Sequence, residues 1–128
     1  MGVALVSSFA RWRPFRVEVR GRSMSPTLED GDWALAVARR RVRRGDVVVV
    51  EHPARPGIEL VKRVTGVEGD LAPDGRTLEA EEVWVEGDRP ELSTDSRRFG
   101  VVPAGHVRAT VTLVYWPPSR RRLMRGSR

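Results

Sequence analysis

From Phe15 to Trp116 apolar side chains return at every second position, in short runs that end on Gly, Pro or Asp. An extended backbone sends successive side chains to opposite faces, so a period of two builds sheet rather than helix. Phe15, Val17 and Val19 alternate with Arg16, Glu18 and Arg20, the pattern of a half-buried strand. Residues Trp33 to Ala38 are apolar on both faces, which predicts a strand covered on both sides. Val47 to Val50 is a β-branched run entered through the turn pair Gly45-Asp46. Further strands are expected at Ile58 to Val64, Val83 to Val85, Phe99 to Val102 and Val107 to Tyr115. Turns fall at Pro53 to Gly57, Pro73-Asp74-Gly75, Gly87-Asp88 and Pro103 to Gly105, and Pro117-Pro118 stops the last strand. One short turn of helix is expected near Ser23 to Leu28, with Pro26 in its first turn. The predicted fold is mainly β, a coiled antiparallel sheet or partly open barrel with little helix.

A length of 128 residues suits one domain with a real core, and 40% hydrophobic with 31% charged residues is globular composition. The absence of cysteine removes disulfides, thiolate metal sites and a cysteine nucleophile. His52 and His106 are too few for a histidine metal site, and no metal or cofactor is expected. His52 reads as a loop residue and His106 as a turn residue. The net charge of +6 comes mainly from Arg39 to Arg44 and from the tail Arg120 to Arg128. Such clusters attract nucleic acid, anionic lipid or acidic partners. They lack interleaved stacking aromatics, so they read as solvated loop and frayed tail, with no specific nucleic-acid partner. The opening stretch Met1 to Ala10 is broken by Ser7 and Ser8 and falls short of the ~20 residues of a spanning helix. Its arginines follow the apolar part instead of preceding it, unlike a signal peptide. It is expected to pack on the domain or to lie on a membrane surface through Val3, Leu5, Phe9 and Trp12. The expected organisation is an apolar and basic lead at 1–14, a domain at 15–117 and a basic tail at 118–128.

Of the 23 basic residues, 22 are arginine and one is Lys62. Both types serve as surface charge, but only an ammonium can lose its proton when buried. On the strand Ile58 to Val64 the alternation places Lys62 in the row of Ile58, Leu60 and Val64. Arg63 then falls on the other face with Glu59, as a solvated pair. Desolvation lowers a lysine pKa, and a base near neutrality must fall from about 10.4 to roughly 7–8, a differential cost of about 3–4 kcal/mol. A lysine that snorkels to the sheet edge is the alternative. A base implies a nucleophile, and Ser23 follows a strand in a turn between Gly21 and Pro26. Such a bend exposes a hydroxyl beside free backbone N–H groups that can face an oxyanion. Ser23 and Lys62 are therefore candidates for a serine–lysine dyad.

These segments lie in order. Gly21-x-Ser23-Met24-x-Pro26-Thr27-Leu28 comes first, then Gly31-Asp32, Gly45-Asp46-Val47-Val48 and Lys62-Arg63-Val64. Gly87-Asp88 and the run Ser93-Thr94-Asp95-Ser96-Arg97-Arg98-Phe99-Gly100 complete the set. Together they resemble the type I signal peptidase family over most of residues 17–117. The resemblance implies a serine endopeptidase with Ser23 as nucleophile and Lys62 as general base. It implies that Ser93 orients the lysine amine and that Asp95 and Arg97 form a supporting ion pair. It also places Gly21, Met24 and Pro26 at the oxyanion and substrate turn, and implies a coiled antiparallel β fold of the signal peptidase type. Where many members carry a serine that helps bind the oxyanion, this chain has Gly21.

The short, unanchored form is similar to the nickel-type superoxide dismutase maturation proteases of actinobacteria. That resemblance implies removal of an N-terminal extension from a precursor; the chain is expected to be a monomer in the cytoplasm, with peripheral contact at the inner face of the membrane. A small signal peptidase acting on secretory precursors at the membrane is the alternative. Self-cleaving LexA-type regulators share the serine–lysine pair, but only 22 residues precede Ser23 and no Ala-Gly pair lies among them. A basic β module binding nucleic acid or lipid would account for the arginines, though not for Lys62.

Overall fold

The computed structural model describes residues 14–38 and 41–124. The apolar residues of the lead, Arg39 and Arg40, and the last residues of the tail lie outside that range. Eight strands follow one another: β1 (Phe15–Glu18), β2 (Trp33–Val37), β3 (Val47–Glu51), β4 (Glu59–Gly66), β5 (Glu82–Glu86), β6 (Val102–Pro103), β7 (Val107–Trp116) and β8 (Arg122–Leu123). They form one antiparallel sheet in the order β1-β2-β7-β3-β4-β5-β6, curled into a half-barrel as the alternation predicts. β7 is long enough to serve three neighbours. It pairs β2 along one side, and on the other side it pairs β3 near its start and β8 near its end.

The valine run explains why β3 is central. Val47 and Val49 enter one core cluster with Val61, Ala109 and Val111, whereas Val48 and Val50 enter another with Leu60, Val64, Val83 and Val85. A strand buried on both faces needs apolar side chains in succession, and four valines supply them. β2 departs from expectation. Ala34 and Ala36 are buried, but Trp33, Leu35 and Val37 are only half covered, so one face alone is packed. Trp33 lines an open cavity of about 290 Å³ with Arg16, Tyr115 and the exposed Trp116.

The strand expected at Phe99 to Val102 is replaced by a four-residue helix, α1 (Ser96–Phe99), and strand pairing survives only at Val102–Pro103. The Asp95 carboxylate accepts from the Arg97 N–H as the helix N-cap, and Gly100 at φ 81° ends the turn. The short turn of helix expected near Ser23 to Leu28 is present only as a single turn. The segment closes one helix-like bond, Leu28 N–H to Met24 O at 2.9 Å, before the Glu29 N–H is taken by the Asp32 carboxylate. The tail is also more ordered than expected. β8 docks on β7, and Arg120 donates to the buried carboxylate of Asp32.

Candidate functional site

Lys62 lies on β4 opposite Val48 of β3, on the face that carries Leu60 and Val64. It is 1% exposed, so the snorkelling alternative fails. Its Nζ is 2.8 Å from Ser23 Oγ, and Ser23 is itself buried. Burial pushes the ammonium down to about 8; the Asp95 carboxylate opposes that fall and the Arg97 guanidinium adds to it. Serine and amine thus meet with heavy atoms at hydrogen-bond distance, in a place that favours the uncharged amine.

The segment after β5 supplies the surroundings. Asp95 is fully buried and accepts from the Gly87 N–H at 2.8 Å, the Ser93 hydroxyl at 2.7 Å and the Arg97 Nε at 3.0 Å. Burial raises its pKa, but the hydrogen bonds from Arg97, Ser93 and the two backbone N–H groups outweigh that and hold it at about 2. The expected Asp95–Arg97 pair is present. Ser93 departs from expectation: its hydroxyl donates to Asp95 and makes no hydrogen bond to Lys62. Its one proton goes to the charged carboxylate, the stronger acceptor, so Ser93 is turned toward Asp95. Ser96 anchors the same segment to β5 by accepting from the Val85 N–H at 2.9 Å.

The ionised Asp95 has a consequence for acid stability. Its pKa is lower in the folded state than in the unfolded, so its contribution is full above pH 3.8 and is lost as pH falls through about 2. Asp95→Asn is expected to lose about 2 kcal/mol at neutral pH and to show a shallower stability decline between pH 4 and 2, read by urea unfolding. Equal slopes in the two proteins would contradict the assignment.

Arg63 corrects the reading of a solvated pair with Glu59. It grips Asp88 through Nε and Nη2, both at 2.9 Å, and donates to the Gly45 carbonyl at 2.7 Å, while Glu59 pairs with Arg108. Asp88 also accepts from the Thr27 hydroxyl at 2.6 Å, and the Arg89 N–H donates to the Ser23 carbonyl at 2.8 Å. The serine loop is therefore tied to the lysine strand through Asp88 and to the segment after β5 through Arg89. The ordered boxes pointed at these residues, but a period-two reading says nothing about partners 61 residues apart.

The oxyanion turn is only partly as expected. Gly21 has φ 86°, a conformation that suits glycine, and its N–H goes to Asp30 Oδ1 at 2.7 Å. The Ser23 N–H has no partner among the described residues. Met24 does not face substrate: it is 1% exposed and belongs to the core with Val47 and Val61, because its side chain is the apolar one in that turn. Pro26 is exposed. A cleft of about 300 Å³ opens beside Ser23 and Lys62, lined by His52, Arg55, Ile58, Leu60, Leu92 and Thr94. His52, expected as a plain loop residue, packs its ring on Phe99 with centroids 4.7 Å apart, and its Nδ1 accepts from the Ala54 N–H. It makes no hydrogen bond to Ser23. Among the described residues no three potential metal ligands cluster, and no helix is long and apolar enough to cross a membrane.

A curled antiparallel sheet carrying a buried lysine amine on a serine hydroxyl has the fold of the signal peptidases. A family model described as "Signal peptidase, peptidase S26" matches residues 1–73 and 71–116. Mitochondrial inner membrane protease subunit 1 of Mus musculus is 33% identical over 120 residues, spanning 84% of this chain and 72% of the relative. Subunit 2 of Danio rerio is 36% identical over 125 residues, covering 80% of this chain and 64% of the relative. Mitochondrial ATP-independent inner membrane protease subunit 1a of Arabidopsis thaliana is 37% identical over 122 residues. The chain belongs to the peptidase S26 signal peptidase family, whose members are serine-type proteases.

Proposed function

We propose that this chain is a signal-peptidase-type serine endopeptidase that removes leaders from precursor proteins at a membrane, with Ser23 as nucleophile and Lys62 as general base. The observation that carries the reading is the 2.8 Å approach of a buried, pKa-lowered amine to a serine hydroxyl at the edge of a cleft. Relatives named as inner membrane proteases favour this over the nickel superoxide dismutase reading.

In this mechanism the neutral Lys62 amine takes the Ser23 proton as Oγ adds to the scissile carbonyl. The resulting ammonium protonates the leaving amine nitrogen as the C–N bond breaks, which leaves an acyl-serine. Water then attacks the ester, Lys62 accepts its proton, and the proton returns to Ser23 as the leader acid departs. The Ser23 N–H is the available donor for the oxyanion. The Ser93 hydroxyl is committed to Asp95, and Asp95, paired with Arg97, holds that serine and the Gly87 turn in place beside the dyad.

The test is cleavage of a leader-bearing precursor presented in lipid vesicles, with the new N-terminus read by mass spectrometry. Ser23→Ala is expected to fold and to lose at least about 10⁴-fold in rate. Cleavage at the wild-type rate in that variant would refute the nucleophile.

A further inference from the structure

The tail segment after β7 does more than end the chain. Asp32, 1% exposed, sits nine residues after Ser23 at the close of the same loop. Arg120 meets it as a fork, with Nε 2.8 Å from Oδ1 and Nη2 3.0 Å from Oδ2. The same Nη2 reaches the carbonyls of Thr27 at 3.4 Å and Pro26 at 3.5 Å. One guanidinium thus ties the loop's buried end to its middle, and Asp32 adds the Glu29 N–H at 2.9 Å. Arg122 donates to the Thr27 carbonyl as well. The Thr27 hydroxyl faces the other way, to Asp88 and through it to Arg63 beside Lys62. Thr27 is the point where the loop is held from both sides, four residues past Ser23.

We propose that Arg120 is a positioning residue for Ser23: it holds the serine loop from the tail side, against the Thr27–Asp88–Arg63 tie on the lysine side. The role rests on the Ser23–Lys62 reading above. It needs arginine specifically, because an ammonium cannot span a carboxylate and two carbonyls from one planar group. β8 on β7, with the Met124 N–H on the Thr112 carbonyl at 2.9 Å, fixes where the guanidinium stands. Displacement of a reacting group by about 1 Å costs on the order of 10²-fold in rate, so loosening this contact is expected to act on the chemical step.

The experiment compares Arg120→Ala and Arg120→Lys with wild type and Ser23→Ala, each assayed at least 15 °C below its own melting transition. It reads kcat and KM on a leader-peptide substrate, and the rate at which a fluorophosphonate labels Ser23. Arg120→Ala is expected to lose about 10–100-fold in kcat and in labelling rate with KM within about twofold, and Arg120→Lys to recover only part of the loss. Should Arg120→Ala not fold, the lysine variant carries the test. Wild-type kcat and labelling in a folded Arg120→Lys, or a loss matched by the unfolded fraction alone, would overturn the role. If the wild type is neither labelled nor active beyond Ser23→Ala, the dyad reading fails, and this inference fails with it.

Discussion

Lys62→Met is expected to abolish cleavage while raising the stability of the fold by about 2–3 kcal/mol at pH 7. Lys62 shares its sheet face with Val48, Leu60 and Val64, and burial brings its pKa down to about 8 from 10.5. At about 1.36 kcal/mol per pKa unit, that is roughly 3 kcal/mol by which folding disfavours the charged form. The folded state binds the proton less tightly than the unfolded one. The penalty is therefore full below about pH 8 and is relieved as pH rises from about 8 to 10.5. Methionine fills a similar volume without the charge, so its stability should lack that rise. Urea unfolding of both proteins at pH 6.5 and 10.5 measures the difference. A gap that stays constant across this range would show that burial does not depress the amine. Cleavage by the wild type should climb with pH and reach half its plateau near 8. Lys62→Arg should lose both properties, since a buried guanidinium cannot shed its charge.

Gly87→Ala is the second large effect. A Cβ at Gly87 would stand 2.3 Å from Ser93 Oγ and 2.6 Å from the Ser23 carbonyl oxygen. The serine side chain could turn aside only by leaving Asp95, and the carbonyl is backbone of the nucleophile itself. The expected result is a kcat about 10²-fold lower and a fold about 1–3 kcal/mol less stable. Gly105→Ala is the matched control, because a Cβ there meets nothing within 4 Å. Both variants behaving alike in activity and in thermal melting would mean that Gly87 does not separate the two serines.

Lys62 was legible because two independent signals met on it: its isolation among arginines and its place in the alternation. The same alternation located most strands, since a period of two needs no knowledge of partners. It failed where local capping overrode it. Phe99 lies in an apolar run, yet Asp95 caps a turn of helix there and Gly100 ends it. It also misjudged β2, because apolar side chains on both faces do not by themselves bring a second layer to cover them. Arg63 was placed on the correct face and given the wrong partner. Periodicity reports faces, whereas the choice of Asp88 over Glu59 depends on where a distant loop returns. Arg120 fell in a segment whose composition reads as frayed, and only its buried partner Asp32 distinguishes it from the arginines around it. Met24 sat in the matched motif without touching the cleft, because a motif records position and not direction.

The burial of β3 on both faces places a boundary inside the dyad. Backbone hydrogen bonds at the centre of a sheet open only when the whole cooperative unit opens, whereas a loop held by side-chain contacts can detach by itself. Lys62 is paired directly to Val48 inside that unit; Ser23 stands on a loop outside the ladder, fastened by the Arg89 N–H on its carbonyl and by Met24 and Leu28 in the core. The amine is set by the ladder itself, whereas the hydroxyl is set by how the loop's buried residues and its tie to Arg89 seat it against that ladder.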